Sequence, residues 1–234
     1  MLKHRIIPIL LIDGNQQVVK PISFQRPYRK LGPLEQYVRV MERRNVDELI
    51  LIDIEATAEG RKPRAEVIRK LTSSLFCPIT YGGGISSLDD IKNCLASGAD
   101  KVAIKSETWI IPRAVDKFGA QAIVGVIDCP TGSEIAAQAV GELFEEEGVG
   151  EILLTDIEKD GTLTGPNLDL IRTVDNSVGI PIVYCGGIRG GADCLEAIKA
   201  GASAVAIGST FLYTETTPKD IAEYLHEHNV PIRL

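Results

Sequence analysis

The sequence has few of the residues on which metal, nucleic-acid and membrane proteins depend. Histidine occurs three times and the five cysteines form no CxxC pair, so we expect neither a metal site nor a metal cofactor. The net charge of −7 and the aromatic content of 5% are unlike those of a nucleic-acid-binding protein. No run reaches the ~18 apolar residues of a membrane helix. No GxGxxG motif opens a strand–helix unit, so the sequence does not indicate nicotinamide binding.

The cysteine count and the first residues bear on the compartment. An odd number of thiols without a pairing pattern is typical of a protein kept reduced in the cytoplasm. The opening MLKHRIIPILLIDGN has a basic flank, but its apolar run of about eight residues is more typical of a buried strand than of a secretory signal. We therefore expect a cytoplasmic location.

Eight short apolar runs alternate with longer helical patterns. The predicted strands are residues 5–12, 48–53, 77–81, 101–104, 122–128, 151–155, 181–185 and 204–207. Continuously apolar strands indicate a parallel sheet buried on both faces, and strand–helix alternation is typical of βαβ units. The 234 residues, 44% of them hydrophobic, contain no linker, which predicts one α/β domain over 1–234, a (βα)8 TIM barrel. An open doubly wound sheet is the alternative, although it usually needs fewer repeats.

The two halves of the chain resemble each other. Segments 81–106 and 184–209 align without a gap at an offset of 103, with eleven identities in 26 positions. The same offset pairs Glu48 with Glu151 and the Asp-Ile-Glu triplet 53–55 with the triplet 156–158. Barrel constraints shared by the two halves explain some of this similarity, but a gapless run of this length favours an internal half-barrel duplication.

Short turns rich in glycine follow predicted strands in both repeated segments. They contain Gly82, Gly83, Gly84 and Ser106 in the first, and Gly186, Gly187, Gly208 and Ser209 in the second. Because a turn without side chains lets backbone N–H groups approach an anion, these turns predict two phosphate sites at the carboxyl ends of the strands. Two such sites across one barrel mouth imply an elongated bisphosphate substrate. The alternative is that the glycines only permit tight turns.

Six segments in chain order carry a family resemblance: RIIPILLIDG, ELILIDIEAT, YGGGISS, GADKVAIKS, GVGEILLTDIEKDGT and YCGGI. They resemble the cyclase subunit of imidazole glycerol phosphate synthase over nearly the whole chain. The resemblance implies a lyase that takes ammonia from a glutaminase subunit, with which it forms a heterodimer. It also implies that the ammonia splits a bisphosphorylated aminoimidazole carboxamide nucleotide, giving imidazole glycerol phosphate and the free carboxamide ribotide.

The resemblance implies two acid–base aspartates, on the first and fifth strands. Asp128 matches the fifth-strand aspartate; the alternative is a helix cap or a surface acid. Lys20 matches a loop lysine near the glycerol-phosphate end; the alternative is an ordinary solvated lysine. The other substrate contacts map onto Asp53, Gly82, Gly83, Thr155, Asp160, Gly161, Thr162, Gly186, Gly187 and Ser209.

Four charged residues at the amino-terminal ends of strands also match the family. Arg5, Glu48, Lys101 and Glu151 are expected to form a ring around the barrel axis, which in this family gates the entry of ammonia. The resemblance thus implies that the glutaminase docks on the amino-terminal face, where Asp100 matches a position near the interface. The alternative is a charge network that only closes the barrel floor.

The departures from the family pattern cluster at the mouth. Leu11 stands where the family has the first-strand aspartate, and a leucine cannot exchange a proton. Asp13, two residues later and expected on the same strand face, is the candidate substitute. Lys105 and Ser106 replace an asparagine and a threonine, although a lysine still binds phosphate as a point charge. The loop at 129–132 is shorter than the family's β-hairpin, and residues 15–17 lengthen the first turn.

Two other functions stay open beside the cyclase. One is a divergent paralogue that delivers ammonia to an amidotransferase for amidino-modified surface sugars, for which Leu11 is typical. The other is the histidine-pathway sugar isomerase, a sister barrel that shares the duplication but needs no charged floor. Binding to a glutaminase distinguishes the cyclase and the ammonia-delivering paralogue from the isomerase.

Overall fold

The computed structural model describes residues 3–44, 46–105 and 107–233. These residues form ten strands: β1 (Arg5–Ile12), β2 (Gln17–Lys20), β3 (Arg29–Pro33), β4 (Leu49–Asp53), β5 (Ile79–Gly82), β6 (Lys101–Ile104), β7 (Ile123–Cys129), β8 (Glu151–Asp156), β9 (Ile182–Cys185) and β10 (Ala204–Ile207). They also form nine α-helices: α1 (Leu34–Arg43), α2 (Ala65–Thr72), α3 (Leu88–Ala96), α4 (Ile111–Phe118), α5 (Glu134–Glu146), α6 (Leu168–Asp175), α7 (Gly191–Lys199), α8 (Ser209–Tyr213) and α9 (Pro218–Glu227).

Eight of the strands close into a parallel barrel. Neighbours pair in the order β1, β4, β5, β6, β7, β8, β9, β10, and β10 returns to pair with β1. The predicted (βα)8 barrel is therefore confirmed, and the open doubly wound sheet is excluded because the sheet has no free edges along this path. The predicted barrel strands agree with the observed ones to within two residues at each end.

The strands are apolar throughout because each face meets a different core. On β1, Ile7 and Ile9 belong to the cluster inside the barrel, whereas Ile6 and Leu10 belong to the larger cluster beneath the helices. Helix α1 shows the matching pattern, since Leu34, at its start, is buried, as are Val38 and Met41, which lie four and seven residues later. Side chains of one parity along each barrel strand therefore face the barrel axis.

A β-hairpin lies between β1 and α1, where the sequence predicts only an altered turn. Strand β2 pairs antiparallel with the end of β1, and β3 pairs antiparallel with β2. Val18 and Val19 anchor the hairpin because both are fully buried. The sequence gives a weak signal for it, since β3 reads RKLGP and lacks both β-branched and aromatic residues.

The predicted duplication is visible as repeated hydrogen bonds. The Tyr81 hydroxyl accepts from the backbone N–H of Arg64, and the Tyr184 hydroxyl accepts from that of Asn167, at the same offset of 103. A second equivalent pair involves Asp90, which accepts from the Ser86 N–H, and Asp193, which accepts from that of Arg189. The two halves thus build their strand–helix turns in the same way.

No helix in the described part of the chain is long and apolar enough to cross a membrane.

Candidate functional site

Asp128 lies at the carboxyl end of β7 and faces the barrel axis. Val124 and Val126 on the same strand belong to the inner cluster, so the alternation of side chains directs Asp128 to the same side. In the register of the sheet, Asp128 is the partner of Thr155 on β8, and Thr155 is the partner of Cys185 on β9. The mouth of the barrel therefore brings together a carboxylate, a hydroxyl and a thiol.

Lys105, which follows β6, forms an ion pair with Asp128 on the neighbouring strand β7. Its Nζ lies 2.6 Å from Oδ2 of Asp128, and the lysine side chain is 57% exposed whereas the aspartate side chain is 11% exposed. The sequence places Lys105 at a phosphate site, and the structure adds its contact with the acid–base candidate. Ser106, the next predicted phosphate residue, lies outside the described residues.

A second ion pair lies at the mouth, with its aspartate in the loop after the neighbouring strand β8, and it is buried. Lys20, at the end of β2, donates to both oxygens of Asp160, with Nζ–O distances of 2.6 and 2.8 Å. Lys20 is thus not a solvated surface lysine, since its side chain is only 3% exposed. Beside this pair, the hairpin contacts the loop after β8, because the Ser23 N–H donates to the Asp160 carbonyl.

A small pocket, partly open to solvent, adjoins Asp160 of this ion pair. Its lining includes Asp160, Gly161, Gly186, Gly187, Gly208 and Ser209, which were all predicted from the sequence. The Ser209 hydroxyl oxygen is buried without a hydrogen-bond partner among the described residues. A buried hydroxyl of this kind is suited to a ligand oxygen, because leaving it unpaired costs free energy.

The glycines of the first repeated segment are also required by packing. Gly83 has φ +106, and a Cβ there would lie 2.2 Å from the Asp53 carbonyl oxygen. Gly84 has φ +71, and its Cβ would lie 2.4 Å from the Arg61 carbonyl oxygen. The tight-turn explanation therefore applies to both residues, and a tight turn is compatible with a phosphate site. Gly82 lies just before them, at the end of β5.

Asp13 follows β1 and closes the turn into the hairpin. Its Oδ1 accepts from the N–H groups of Asn15 and Gln17, at 2.8 and 2.9 Å, and its Oδ2 lies 3.4 Å from Nζ of Lys30. Leu11 is half-buried and packs against the inner cluster at the position of the missing aspartate. The Asp13 carboxylate is therefore already engaged in holding a turn.

Asp53 and Thr162 hold loops around the mouth. Asp53 has the parity of the helix-facing residues of β4, and its buried carboxylate forms ion pairs with Arg61 and Arg64. The Thr162 hydroxyl donates to the carbonyl of Lys159, at 2.8 Å. The structure thus places Asp53 away from the barrel axis, where the sequence suggested a mouth residue near the substrate.

The four predicted floor residues form a closed ring of ion pairs. Arg5 contacts Glu48 at 2.8 Å and also contacts Glu151, while Lys101 lies 2.8 Å from each of the two carboxylates. Burial raises the pKa of the Glu151 carboxyl, but Arg5 and Lys101 lower it more, so that it stays below its usual value. The carboxylates are buried whereas the cations are half-buried.

Two residues near the two ends of the barrel do not figure in the sequence-based prediction. Cys185 lies in the mouth, and burial raises the pKa of its thiol to about 12, so it stays protonated at neutral pH. Strand alternation on β9 is a signal that points to it. Phe76 is 99% exposed in the loop before β5, at the end of the barrel that holds the charged ring. No pattern in the sequence distinguishes this phenylalanine from a core residue.

No group of three or more histidine, cysteine, aspartate or glutamate side chains in residues 3–44, 46–105 and 107–233 is arranged to hold a metal ion.

The chain is similar to one protein family and to two named relatives over most of its length. The family model described as "Histidine biosynthesis protein" matches residues 5–217. A Campylobacter jejuni protein with the provisional name imidazole glycerol phosphate synthase subunit hisF2 is 37% identical over 250 aligned residues, covering 100% of both chains. The imidazole glycerol phosphate synthase subunit HisF of Endomicrobium trichonymphae is 36% identical over 253, covering 100% of this chain and 96% of its own.

Proposed function

The chain belongs to the histidine biosynthesis protein family, and from that premise we propose that it is the ammonia-dependent cyclase of an imidazole glycerol phosphate synthase. Its substrate is a bisphosphorylated aminoimidazole carboxamide nucleotide. One observation carries the proposal: Asp128 lies in the mouth between two glycine turns related by the duplication, above a closed ring of charges. A cytoplasmic location is part of the proposal, supported by five free thiols.

The phosphate groups bind at the two glycine turns. The orphaned Ser209 hydroxyl donates to one phosphate beside the backbone of Gly186 and Gly187, in the pocket already described. The other phosphate binds beside Gly83, where Lys105 supplies a positive charge. Asp128 lies between the two sites and transfers protons at the reacting centre as a general acid–base.

Ammonia enters through the floor and crosses the barrel to reach the mouth. The interior between ring and mouth is lined by apolar side chains, among them Ile7, Ile50 and Leu153, which admit a neutral molecule more readily than an ion. The ring of Arg5, Glu48, Lys101 and Glu151 blocks this path when all four pairs are closed. Its opening therefore gates entry.

The glutaminase subunit docks on the amino-terminal face, with Phe76 as its anchor. Phe76 precedes Cys77, whose thiol lies near the carboxylates of Asp47 and Asp100, and an exposed phenylalanine in such acidic surroundings fits an apolar pocket with a basic rim. Phe76→Asp is expected to weaken glutaminase binding at least about tenfold and to leave ammonium-dependent turnover unchanged. Leu143→Asp, on the exposed side of α5, is the matched control. Equal losses in both variants would contradict docking at this face.

The test of the reaction uses the purified protein alone, with the nucleotide and excess ammonium at alkaline pH. We expect loss of substrate absorbance and both products by mass, and we expect Asp128→Asn to abolish turnover. Asp116→Asn, which changes an exposed aspartate on α4, is the control. No turnover by the unmodified protein that still binds a substrate analogue would overturn the cyclase.

Asp13 is proposed to supply the second acid–base group that Leu11 cannot. Asp13→Asn should then abolish turnover, and unchanged turnover would contradict the assignment. Because Asp13 also holds the turn before β2, the free energy of unfolding of the variant has to be measured alongside its turnover. A loss of turnover with an unchanged unfolding free energy supports a chemical role.

The second candidate function is delivery of ammonia to an amidotransferase that modifies surface sugars. The observation that favours it is the combination of Leu11 facing the mouth with an Asp13 carboxylate engaged in a turn. In this case glutaminase binding persists, while the nucleotide is not converted with either ammonium or glutamine. The isomerase requires no glutaminase, so a stable complex with one excludes it.

A further inference from the structure

Lys105 stands between the glycine turn of the first repeated segment and the acid–base candidate. Gly82 on β5 pairs with Ala103 on β6, and Lys105 lies two residues beyond Ala103, with the same side-chain parity. On its other side, β6 pairs with β7, which ends in Asp128 and Cys129. A lysine side chain at this point has the glycine turn on one side and the carboxylate on the other.

We propose that Lys105 is a positioning residue that exchanges partners, pairing with Asp128 in the free protein and with the substrate phosphate in the complex. Lys105 holds the Asp128 carboxylate in an ion pair at 2.6 Å. When a phosphate binds beside Gly83 and Gly84, it replaces Asp128 as the ion-pair partner of the Lys105 ammonium group. The Asp128 carboxylate is then free to exchange a proton with the substrate.

The exposure of Lys105 permits this exchange. Its side chain is 57% exposed, so water solvates the ammonium group and weakens its pairing with the Asp128 carboxylate, whose side chain is 11% exposed. Its four-carbon stem moves the ammonium group by bond rotation alone. An arriving phosphate carries more negative charge than the carboxylate and offers more acceptor oxygens, so it competes well for the lysine.

The other ion pair of the mouth shows what a fixed pair requires. Lys20 donates to both oxygens of Asp160, and both side chains are buried. The Lys20 side chain is 3% exposed, so its ammonium group could leave Asp160 only by stranding two buried charges, which is costly. The mouth therefore contains two lysine–aspartate pairs of different kinds, one fixed and one free to exchange.

This exchange couples the acid–base group to phosphate binding, and as a mechanistic role it rests on the proposed function. Without phosphate, the charge of the Asp128 carboxylate is neutralised by Lys105. A bound phosphate releases it at the moment when the reacting atoms are in place. The Asn-to-Lys departure from the family pattern at this position thus acquires a role of its own.

The experiment measures the affinity of inorganic phosphate at one site, without any turnover. The backbone amide signals of Gly83 and Gly84 are followed by nuclear magnetic resonance during phosphate titration. Four proteins form a double-mutant cycle: wild type, Lys105→Gln, Asp128→Asn and the double variant. Lys117→Gln, which removes an exposed charge on α4, is the control and should leave the affinity unchanged.

Asp128→Asn is expected to tighten phosphate binding about fivefold, because Lys105 no longer has to leave a partner. Lys105→Gln should weaken it by a similar factor, and Lys105→Arg should restore it. In the Lys105→Gln background, Asp128→Asn should change the affinity less than about twofold. The proposal requires this difference between the two backgrounds.

Equal tightening of phosphate binding by Asp128→Asn in the wild-type and Lys105→Gln backgrounds would overturn the exchange, because simple repulsion between Asp128 and phosphate would then explain the effect. Phosphate-independent signals at Gly83 and Gly84, or an unchanged affinity in Lys105→Gln, would overturn it as well. Failure of the proposed function is distinguishable from these results. If the double-mutant cycle gives the expected affinities but the protein shows no turnover, the exchange stands and the cyclase function is contradicted. If the protein shows turnover but the cycle does not give these affinities, the cyclase function stands and the exchange is contradicted.

Discussion

Gly187 and Gly190 lie three residues apart, and an added methyl group would meet opposite surroundings at the two positions. A Cβ at Gly187 would lie 2.2 Å from the backbone carbonyl oxygen of Gly165, and the residue has φ +74. A Cβ at Gly190 would have no neighbour within 4 Å, and its φ of 174 is extended backbone that any residue adopts. Only Gly187 therefore needs to be glycine for structural reasons.

Gly187→Ala is expected to lower the free energy of unfolding by roughly 2–4 kcal/mol, because the backbone has to shift away from Gly165 and accept an unfavourable φ. Urea denaturation measures this loss. Gly190→Ala, the matched control, should stay within about 0.5 kcal/mol of the wild type. Similar values for the two variants would contradict the close approach at Gly187.

The hairpin of β2 and β3 lies against the loop after β8 at the mouth, and three contacts join the hairpin to this loop. Lys20 pairs with Asp160, the Ser23 N–H donates to the Asp160 carbonyl, and the Ser23 hydroxyl donates to the Glu158 carbonyl. Lys20 supplies the charged contact of the three. The stability of the closed position should therefore depend strongly on this one side chain.

Lys20→Met is expected to open the hairpin, since the closed position would bury Asp160 without a counter-charge. Trypsin should then cleave after Arg29 at least about tenfold faster, because locally opened segments are cut first. The time course of proteolysis at fixed trypsin checks this. Lys92→Met, an exposed lysine on α3, is the control, and equal rates in both variants would show that Lys20 does not hold the hairpin.

At the scale of the whole molecule, the charged ring joins strands that are distant in sequence. Arg5 comes from β1, Glu48 precedes β4, Lys101 begins β6 and Glu151 begins β8. Each carboxylate contacts both cations, so the ring links four of the eight barrel strands at one end. It therefore contributes to closure of the barrel as well as to the proposed gate.

Glu151→Gln is expected to lower the free energy of unfolding at pH 7 by about 1–3 kcal/mol, because Arg5 and Lys101 each lose a carboxylate. The pKa of Glu151 is lowered in the folded protein, so its contribution is present above the ordinary carboxyl pKa. That contribution is lost as the pH falls through the lowered value. The difference between variant and wild type should thus shrink from pH 7 towards pH 3.

Urea unfolding at several pH values measures this dependence. Glu146→Gln, at an exposed position on α5, controls for the loss of one carboxylate and should unfold like the wild type throughout. A difference between Glu151→Gln and wild type that stays constant with pH would contradict a role for the Glu151 charge.

Much of the barrel could be predicted from the sequence because its signals are local. Buried parallel strands need continuous apolar runs, and the duplication repeats the turn residues at a fixed offset. The strand bounds and the glycine turns can therefore be predicted from the sequence. The hairpin was missed because β3 has a polar sequence and is held by pairing with β2. Asp53 was placed at the mouth because its strand and position are evident, whereas its parity and its arginine partners are not.

The sequence by itself determined the barrel, its duplication and the glycine turns, since each depends on a periodic pattern or a single residue type, while the resemblance to the family indicated the charged floor residues. Tertiary structure alone decided which charges meet. Lys105 with Asp128, Lys20 with Asp160 and Phe76 as an exposed residue all depend on strand register and on loop paths in space. The physical reason is that an ion pair forms between side chains that the closed sheet brings within a few ångströms of each other. The separation of two residues along the sequence does not indicate that distance.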